Sequence, residues 1–68
     1  MKLSARNILT GKVIDVILGV TTATIKIEIA PGTVITSSVT VEAARDLGLA
    51  VGDDVSAIIK SSDVLIGK

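Results

Sequence analysis

The chain has 68 residues, seven basic and seven acidic, with neither histidine, cysteine nor any aromatic residue. These counts exclude disulfides, cysteine- or histidine-bound metals, the common nucleophile–base pairs of enzymes and the stacking of bases on aromatic rings. Because there is also no excess of basic residues to neutralise phosphates, we expect neither catalysis nor nucleic-acid binding.

The length and hydropathy of the chain predict one small domain, residues 1–68, that associates with itself. A domain of this size buries only about 60% of its unfolded surface, so its core is thin. Hydrophobic residues make up 49% of the chain and the mean hydropathy is +0.73, which is more apolar than a small monomer easily hides. No apolar run approaches the roughly 18 residues of a membrane span, and the first residues are too polar for a signal peptide. We therefore expect a soluble, cytoplasmic protein.

Strand signals dominate the first half of the chain. Ile8 to Leu18 is apolar on both faces, which predicts a strand covered on both sides or one whose register is flipped by a bulge near Gly11. Gly19 to Thr21 predicts a hairpin turn. Ala23 to Ile29 then alternates between isoleucine or alanine and polar residues, as a half-buried strand does.

A second turn and a third strand precede the single helix. Pro31 and Gly32 form a turn signal, and Val34 to Val39 is rich in β-branched residues. Thr40 is a candidate helix cap, and Gly48 is a candidate helix end. The helix is expected to present one apolar face, formed by Val41, Ala44 and Leu47.

The last part of the chain predicts two more strands. Val55 to Lys60 alternates, with Ile58 and Lys60 on the outward face, and Val64 to Ile66 is a short apolar segment. The resulting order β-β-β-α-β-β predicts an all-β fold with one short helix, a five-stranded OB-like barrel.

Two short segments are rich in hydrogen-bond donors and poor in acidic residues. The first is "SARN" near the start, and the second lies in "IIKSSDV" near the end. Arginine, lysine, hydroxyl and backbone donors together suit a small oxyanion. The candidate ligands are Ser4, Ala5, Arg6, Asn7, Lys60 and Ser61. Considered by composition and spacing alone, ordinary surface charge is the more common explanation of such residues.

The outward face of the fourth strand adds a second reason to expect an oligomer. If another subunit covers the exposed Ile58, the neighbouring Lys60 lies at a subunit boundary, where an anion held by the neighbour's Arg6 can bridge the two chains.

Four stretches together resemble a known family. They are "SARNILTGKVIDV", "LGVTTATIKIEI", "ITSSVTVEAARDLGL" and "VGDDVSAIIKSSDVLIG". The chain resembles the molbindins, the Mop-type molybdate-binding proteins that are the stand-alone form of the TOBE domain. The resemblance extends from about Leu3 to Gly67.

The resemblance implies a cytoplasmic homohexamer, a trimer of dimers, that binds molybdate and also tungstate for intracellular molybdenum storage or homeostasis. It implies sites between subunits, with Lys60 and Ser61 supplied by one chain. The other chain supplies the "SARN" segment, namely Ser4, Ala5, Arg6 and Asn7.

The resemblance also implies a second kind of oxyanion site, built from hairpin backbone. In this chain that hairpin is Gly19, Val20, Thr21 and Thr22. Thr22 stands where the family usually has asparagine. The alternative function is a structural oligomerisation module without a physiological ligand, and an OB-type nucleic-acid binder is disfavoured by charge and composition.

Overall fold

The computed structural model describes residues 6–68. Four strands and one helix follow one another along the chain, and a 3₁₀ turn comes after the last strand. Their bounds are β1 Asn7–Leu18, β2 Thr22–Ala30, β3 Thr33–Thr40, α1 Val41–Asp46, β4 Asp54–Ile59 and the 3₁₀ turn Ser61–Asp63. Within the described part of the chain, no helix is both long and apolar enough to cross a bilayer.

The strands form one antiparallel sheet in the order β3-β2-β1-β4. The prediction of a mostly β, OB-like fold with one short helix is confirmed. The sheet is not closed, because β3 and β4 are both edge strands. It is nevertheless curved, since Ile35 and Ser37 of β3 line the same cleft as Ala57 and Ile59 of β4.

The fifth predicted strand, Val64 to Ile66, does not form within the single chain. These residues have no regular secondary structure, and the side chains of Leu65 and Ile66 are 91% and 89% exposed. The 3₁₀ turn before them is closed by an Asp63 N–H···O=C Lys60 hydrogen bond of 2.9 Å. A strand requires a neighbour for its backbone hydrogen bonds, and this segment pairs with neither free edge of the four-stranded sheet.

A bulge in β1 explains why its sequence is apolar on both faces. The register with β2 shifts between Val13 and Asp15, so Ile14 is an extra residue on β1. Val13 before the bulge is buried, and Val16 after it also packs against the core. Of the two predicted alternatives the bulge is correct, but it lies three residues beyond Gly11.

β1 also changes partner halfway along its length. Its first half, as far as Lys12, pairs with β4, and its second half, from Lys12 onward, pairs with β2. Gly11 is necessary at this crossing, because a Cβ there would lie 2.6 Å from the Glu28 carbonyl oxygen. Beyond the paired residues, the Val13 N–H donates to Asp53 O at 2.9 Å and continues the contact with the β4 side.

The core lies between the concave face of the sheet and α1. It is small and aliphatic, consisting of Val13, Ala23, Ile25, Ile27, Val41, Ala44 and Ala57. α1 begins as predicted, with the Thr40 hydroxyl accepting a hydrogen bond from the Ala43 N–H at 3.0 Å.

The predicted apolar face of α1 is correct for its first two members and wrong for Leu47. That side chain is 71% exposed, because the helix ends at Asp46 and the chain turns away. Gly48 makes this turn possible with a φ of +63°, a conformation that favours glycine.

We predict that Gly11→Ala destabilises the fold by about 1–3 kcal/mol, because the added methyl group collides with the β2 backbone. Gly67→Ala is the matched control, since nothing lies within 4 Å of a Cβ at that position. Thermal unfolding followed by circular dichroism measures both. Equal midpoints for the two variants would contradict the close approach of β1 and β2.

Candidate functional site

Arg6 and Lys60 occupy the same end of the β1–β4 ladder. The last residue pair of that ladder is Asn7 with Ile59. Because the strands are antiparallel, the register continued by one residue places Arg6 opposite Lys60. Both residues are exposed. Two of the predicted ligands therefore lie at the same end of the ladder, whereas Ser4 and Ala5 lie outside the described residues.

The outward surface next to these cations is apolar. Ile8 and Ile58 face each other across the two strands, and each is 45% exposed. Side chains two residues apart on a strand share a face, so Arg6 and Lys60 project on the same side as this isoleucine pair. The predicted exposure of Ile58 beside Lys60 is confirmed.

The other two predicted ligands among the described residues are Asn7 and Ser61, which differ in exposure. Asn7 is half-buried, and its side-chain Nδ2 donates to the Ile59 carbonyl oxygen at 3.3 Å. Ser61 is exposed and begins the 3₁₀ turn directly after the extended backbone of Lys60. The hydroxyl of Ser61 is thus at the surface, while the amide of Asn7 is engaged with β4.

The two ends of the β1–β4 ladder differ in whether their cations are paired with a carboxylate. At the far end, Lys12 Nζ lies 3.2 Å from Asp54 Oδ1, which is the one ion pair among residues 6–68. At the near end Arg6 and Lys60 have no carboxylate within 4 Å in that described range. Like charges on directly opposed residues of a ladder destabilise it. A bound anion would remove this repulsion and satisfy several of the donors at once.

The second predicted site lies at the opposite end of β1. The Gly19 N–H donates to Thr22 O at 2.8 Å and closes the hairpin, while Thr21 O accepts from the Val41 N–H at 2.9 Å. Val20, at the tip, is 98% exposed. The two sets of candidate ligands are therefore separated by the length of β1.

A cleft beside the hairpin brings charged residues of α1 next to the hairpin tip. It is lined by Val20 and Thr21 and by Glu42, Arg45 and Asp46. Arg45 lies in the last turn of the helix. It comes close to the hairpin because α1 begins beside it, where the Val41 N–H donates to Thr21 O. In the sequence, Arg45 is marked only as a basic residue on the polar side of a short helix. Within the described chain, no group of three acidic, histidine or cysteine residues is arranged to hold a metal ion.

Residues 3–66 match the model of the TOBE domain family. The chain belongs to this family. Molybdenum-pterin-binding protein 3 of Clostridium pasteurianum is 46% identical to this TOBE chain over 66 residues, which are 97% of each protein. The resemblance to the molbindins is thus confirmed over nearly the whole sequence.

Two solved structures have the same fold as this TOBE chain. A molybdate-binding protein from Sporomusa ovata superimposes with a TM-score of 0.93 at 32% identity, covering 100% of both chains. The cytoplasmic molybdate-binding protein ModG, in a form with molybdate bound, superimposes with a TM-score of 0.91 at 48% identity. That match covers 96% of this chain and 46% of ModG.

Proposed function

We propose that this chain binds molybdate, without catalysing a reaction, and that it does so as a cytoplasmic homo-oligomer serving molybdenum storage or homeostasis. The single observation that carries the proposal is that Arg6 and Lys60, two exposed cations without a carboxylate partner among residues 6–68, border the exposed Ile8 and Ile58 surface that a second subunit would cover. The names of its relatives, molybdenum-pterin-binding and molybdate-binding proteins, support molybdate as the anion.

The chemistry of the donors suits a tetrahedral dianion. Molybdate offers four acceptor oxygens, the Arg6 guanidinium offers a planar fork of donors and Lys60 offers an ammonium. Hydrogen bonds to charged groups contribute about 1.5–3 kcal/mol each, and three or four of them account for micromolar binding, about 8 kcal/mol. Further donors in the proposed site are the hydroxyls of Ser4 and Ser61 and the backbone amides of Ala5 and Asn7.

Size and charge determine which other anions fit. Tungstate has nearly the same size and charge as molybdate and is proposed to bind as well. Sulfate is also a tetrahedral dianion, so only the dimensions of the site can discriminate against it. Phosphate is partly protonated at neutral pH and brings a hydroxyl donor that a site made only of donors leaves unmatched.

A second, separate oxyanion site is proposed at the hairpin of Gly19, Val20, Thr21 and Thr22. The exposed hairpin tip supports it. Arg45 lines the adjoining cleft, together with the carboxylates of Glu42 and Asp46. Thr22 replaces the family's usual asparagine with a hydroxyl, which is both a donor and an acceptor.

Residues 1–68 are proposed to form a single domain. The exposed aliphatic surface of this domain supports self-association. Ile8 and Ile58 form a pair beside the cations, and Leu65 and Ile66 are almost fully exposed. Surfaces of this kind mark protein–protein contacts. We propose a homohexamer built as a trimer of dimers, with oxyanion sites at the subunit interfaces.

Removing either cation is expected to weaken molybdate binding by about 10- to 100-fold, because each charge-assisted contact contributes about 1.5–3 kcal/mol. Isothermal titration calorimetry on wild type, Arg6→Ala and Lys60→Ala measures this effect. Lys12→Ala is the control of equal charge, since Lys12 is exposed and pairs with Asp54 at the far end of the ladder. Unchanged affinity in both site variants would remove them from the site, and no heat with wild type would reject molybdate binding.

Mixing two variants tests whether one site takes residues from two chains. Arg6→Ala and Lys60→Ala are unfolded together, refolded and titrated with molybdate. If Arg6 of one subunit and Lys60 of another share an anion, some sites in the mixed oligomer regain both cations and strong binding returns. If both residues come from the same chain, the mixture stays as weak as its components, which would contradict an intersubunit site.

The mass of the protein in solution, with and without molybdate, distinguishes the proposal from a purely structural oligomerisation module. Multi-angle light scattering is expected to give a hexamer that also binds the anion in calorimetry. If the hexamer forms but titration with molybdate releases no heat, the result supports the structural alternative, in which the exposed aliphatic residues serve assembly alone. A monomer would contradict both functions.

A further inference from the structure

We propose that the segment Val64 to Ile66 of one subunit inserts as a fifth strand between β3 and β4 of a second copy of the chain. The inference rests on the proposed self-association and goes beyond it. It names the surface that receives the partner and the segment that the partner supplies, and it does not depend on which anion is bound.

The receiving surface is an apolar opening between the two free edges of the sheet. Two clefts lie side by side there and share Ile27, Ser37, Ser56 and Ile58, so they form one continuous opening, the β3–β4 gap. Ile27 belongs to the buried core. The gap therefore leads from the surface to the interior of the curved sheet, at the place where one more strand would close it.

Both edges of the gap are open to backbone pairing. β3 is an eight-residue edge strand that contains neither a charged residue nor proline. Natural edge strands usually carry such residues, because an uncharged edge is a template for pairing with another chain. On the other side, β4 has its one charged residue, Asp54, at its start. A strand inserted into the gap can thus pair with β3, with β4 or with both.

The segment Val64 to Ile66, which we call the arm, has the properties of the inserted strand. The backbone of Val64 is already extended, with φ −91° and ψ 114°. Leu65 and Ile66 are 91% and 89% exposed, so the arm presents its aliphatic side chains to solvent in the single chain. The arm is therefore a strand-forming segment that lacks a partner.

The 3₁₀ turn directs the arm away from the gap of its own chain. The Asp63 N–H donates to Lys60 O at 2.9 Å and the Val64 N–H donates to Ser61 O at 3.3 Å. The first amide of the arm is thus engaged in the turn and does not pair with β4, which ends only a few residues earlier. The arm accordingly leaves the surface of its own subunit.

A second copy of the chain fits this arrangement better than a different protein does. Every copy carries both an open gap and an exposed arm. A different partner that covered the gap would leave the arm in solvent, whereas exchange between copies removes both exposed surfaces at once. Lys60 and Ser61 directly precede the arm, so exchange also places them where one chain enters another.

A spin label beside the arm tests which chain receives it. Gly67→Cys leaves Val64 to Ile66 unchanged, nothing lies within 4 Å of a Cβ at that position, and the chain has no other cysteine. The labelled variant is unfolded and refolded together with isotope-enriched wild type, and native mass spectrometry verifies the mixing. We expect the amide signals of Ser37 and Ser56 in the enriched chain to broaden and to recover when the label is reduced.

Two results of this experiment would overturn the inference. In the first, the Ser37 and Ser56 signals of the enriched chain stay sharp in the mixed oligomer. In the second, they broaden only when the label and the enrichment are in the same chain, which would mean that each arm fills its own gap. Either result with a hexamer that binds molybdate leaves the proposed function in place, whereas a monomeric wild type rejects the proposed self-association itself.

A charged arm provides a second test that needs no label. In Leu65→Asp, Ile66→Asp both changed side chains face solvent within the subunit, so the subunit is expected to fold. Without an inserted strand, the β3 amides that do not pair with β2 are expected to exchange hydrogen about 10-fold faster than in wild type, or more. Val51→Asp is the control, because Val51 is 65% exposed and lies in the turn before β4. Wild-type exchange at β3 in the double variant would overturn the inference.

Discussion

The close approach of β1 to two different neighbours within one strand governs the rest of the structure. β1 leaves β4 and joins β2 at Lys12, where Gly11 allows the backbone of β2 to approach to a distance that no side chain permits. Val13, immediately beyond, is only 1% exposed and is the most deeply buried large side chain. A sheet whose central strand divides its pairing in this way must curve, and the small core lies inside that curve.

This division also determines where the two candidate sites lie. The half of β1 that pairs with β4 begins beside Lys60, and the half that pairs with β2 ends at the hairpin around Val20. Neither site depends on a deep pocket, because both are at the ends of ladders where donors point to solvent. In a chain without histidine, cysteine or aromatic residues, exposed cations, hydroxyls and amides are the hydrogen-bond donors that remain. Binding a small anion uses that chemistry, and it needs a second surface to exclude water.

The features that sequence predicted correctly are those encoded by neighbouring residues. The alternation of β2, the turn at Pro31 and Gly32 and the cap at Thr40 each depend on a few adjacent positions, and the structure confirms all three. Local patterns also offered a bulge near Gly11 as one of two explanations for the apolar faces of β1, and the bulge lies three residues further along. The glycine is required by the approach of β2, a contact distant in sequence, and the extra residue is Ile14.

The features that sequence missed depend on contacts between distant segments. Val64 to Ile66 has the composition of a strand, yet pairing requires an adjacent edge, and composition does not reveal whether one is available. The same holds for the cations. Arg6 and Lys60 are 54 positions apart by their numbers, and only the register of β1 with β4 shows that one chain brings them together. Arg45 approaches the hairpin for a similar reason, the packing of α1.

The bulge gives β1 an unusual tolerance to changes in length. On a regular strand, losing one residue turns every following side chain to the opposite face of the sheet. Here Val13 and Asp15 pair with consecutive residues of β2, Ile27 and Lys26, so Ile14 has no partner residue on β2. A shorter chain lacking Ile14 keeps every other side chain of β1 on its present face. A deletion of one residue can therefore be accommodated at this point without rearranging the interior.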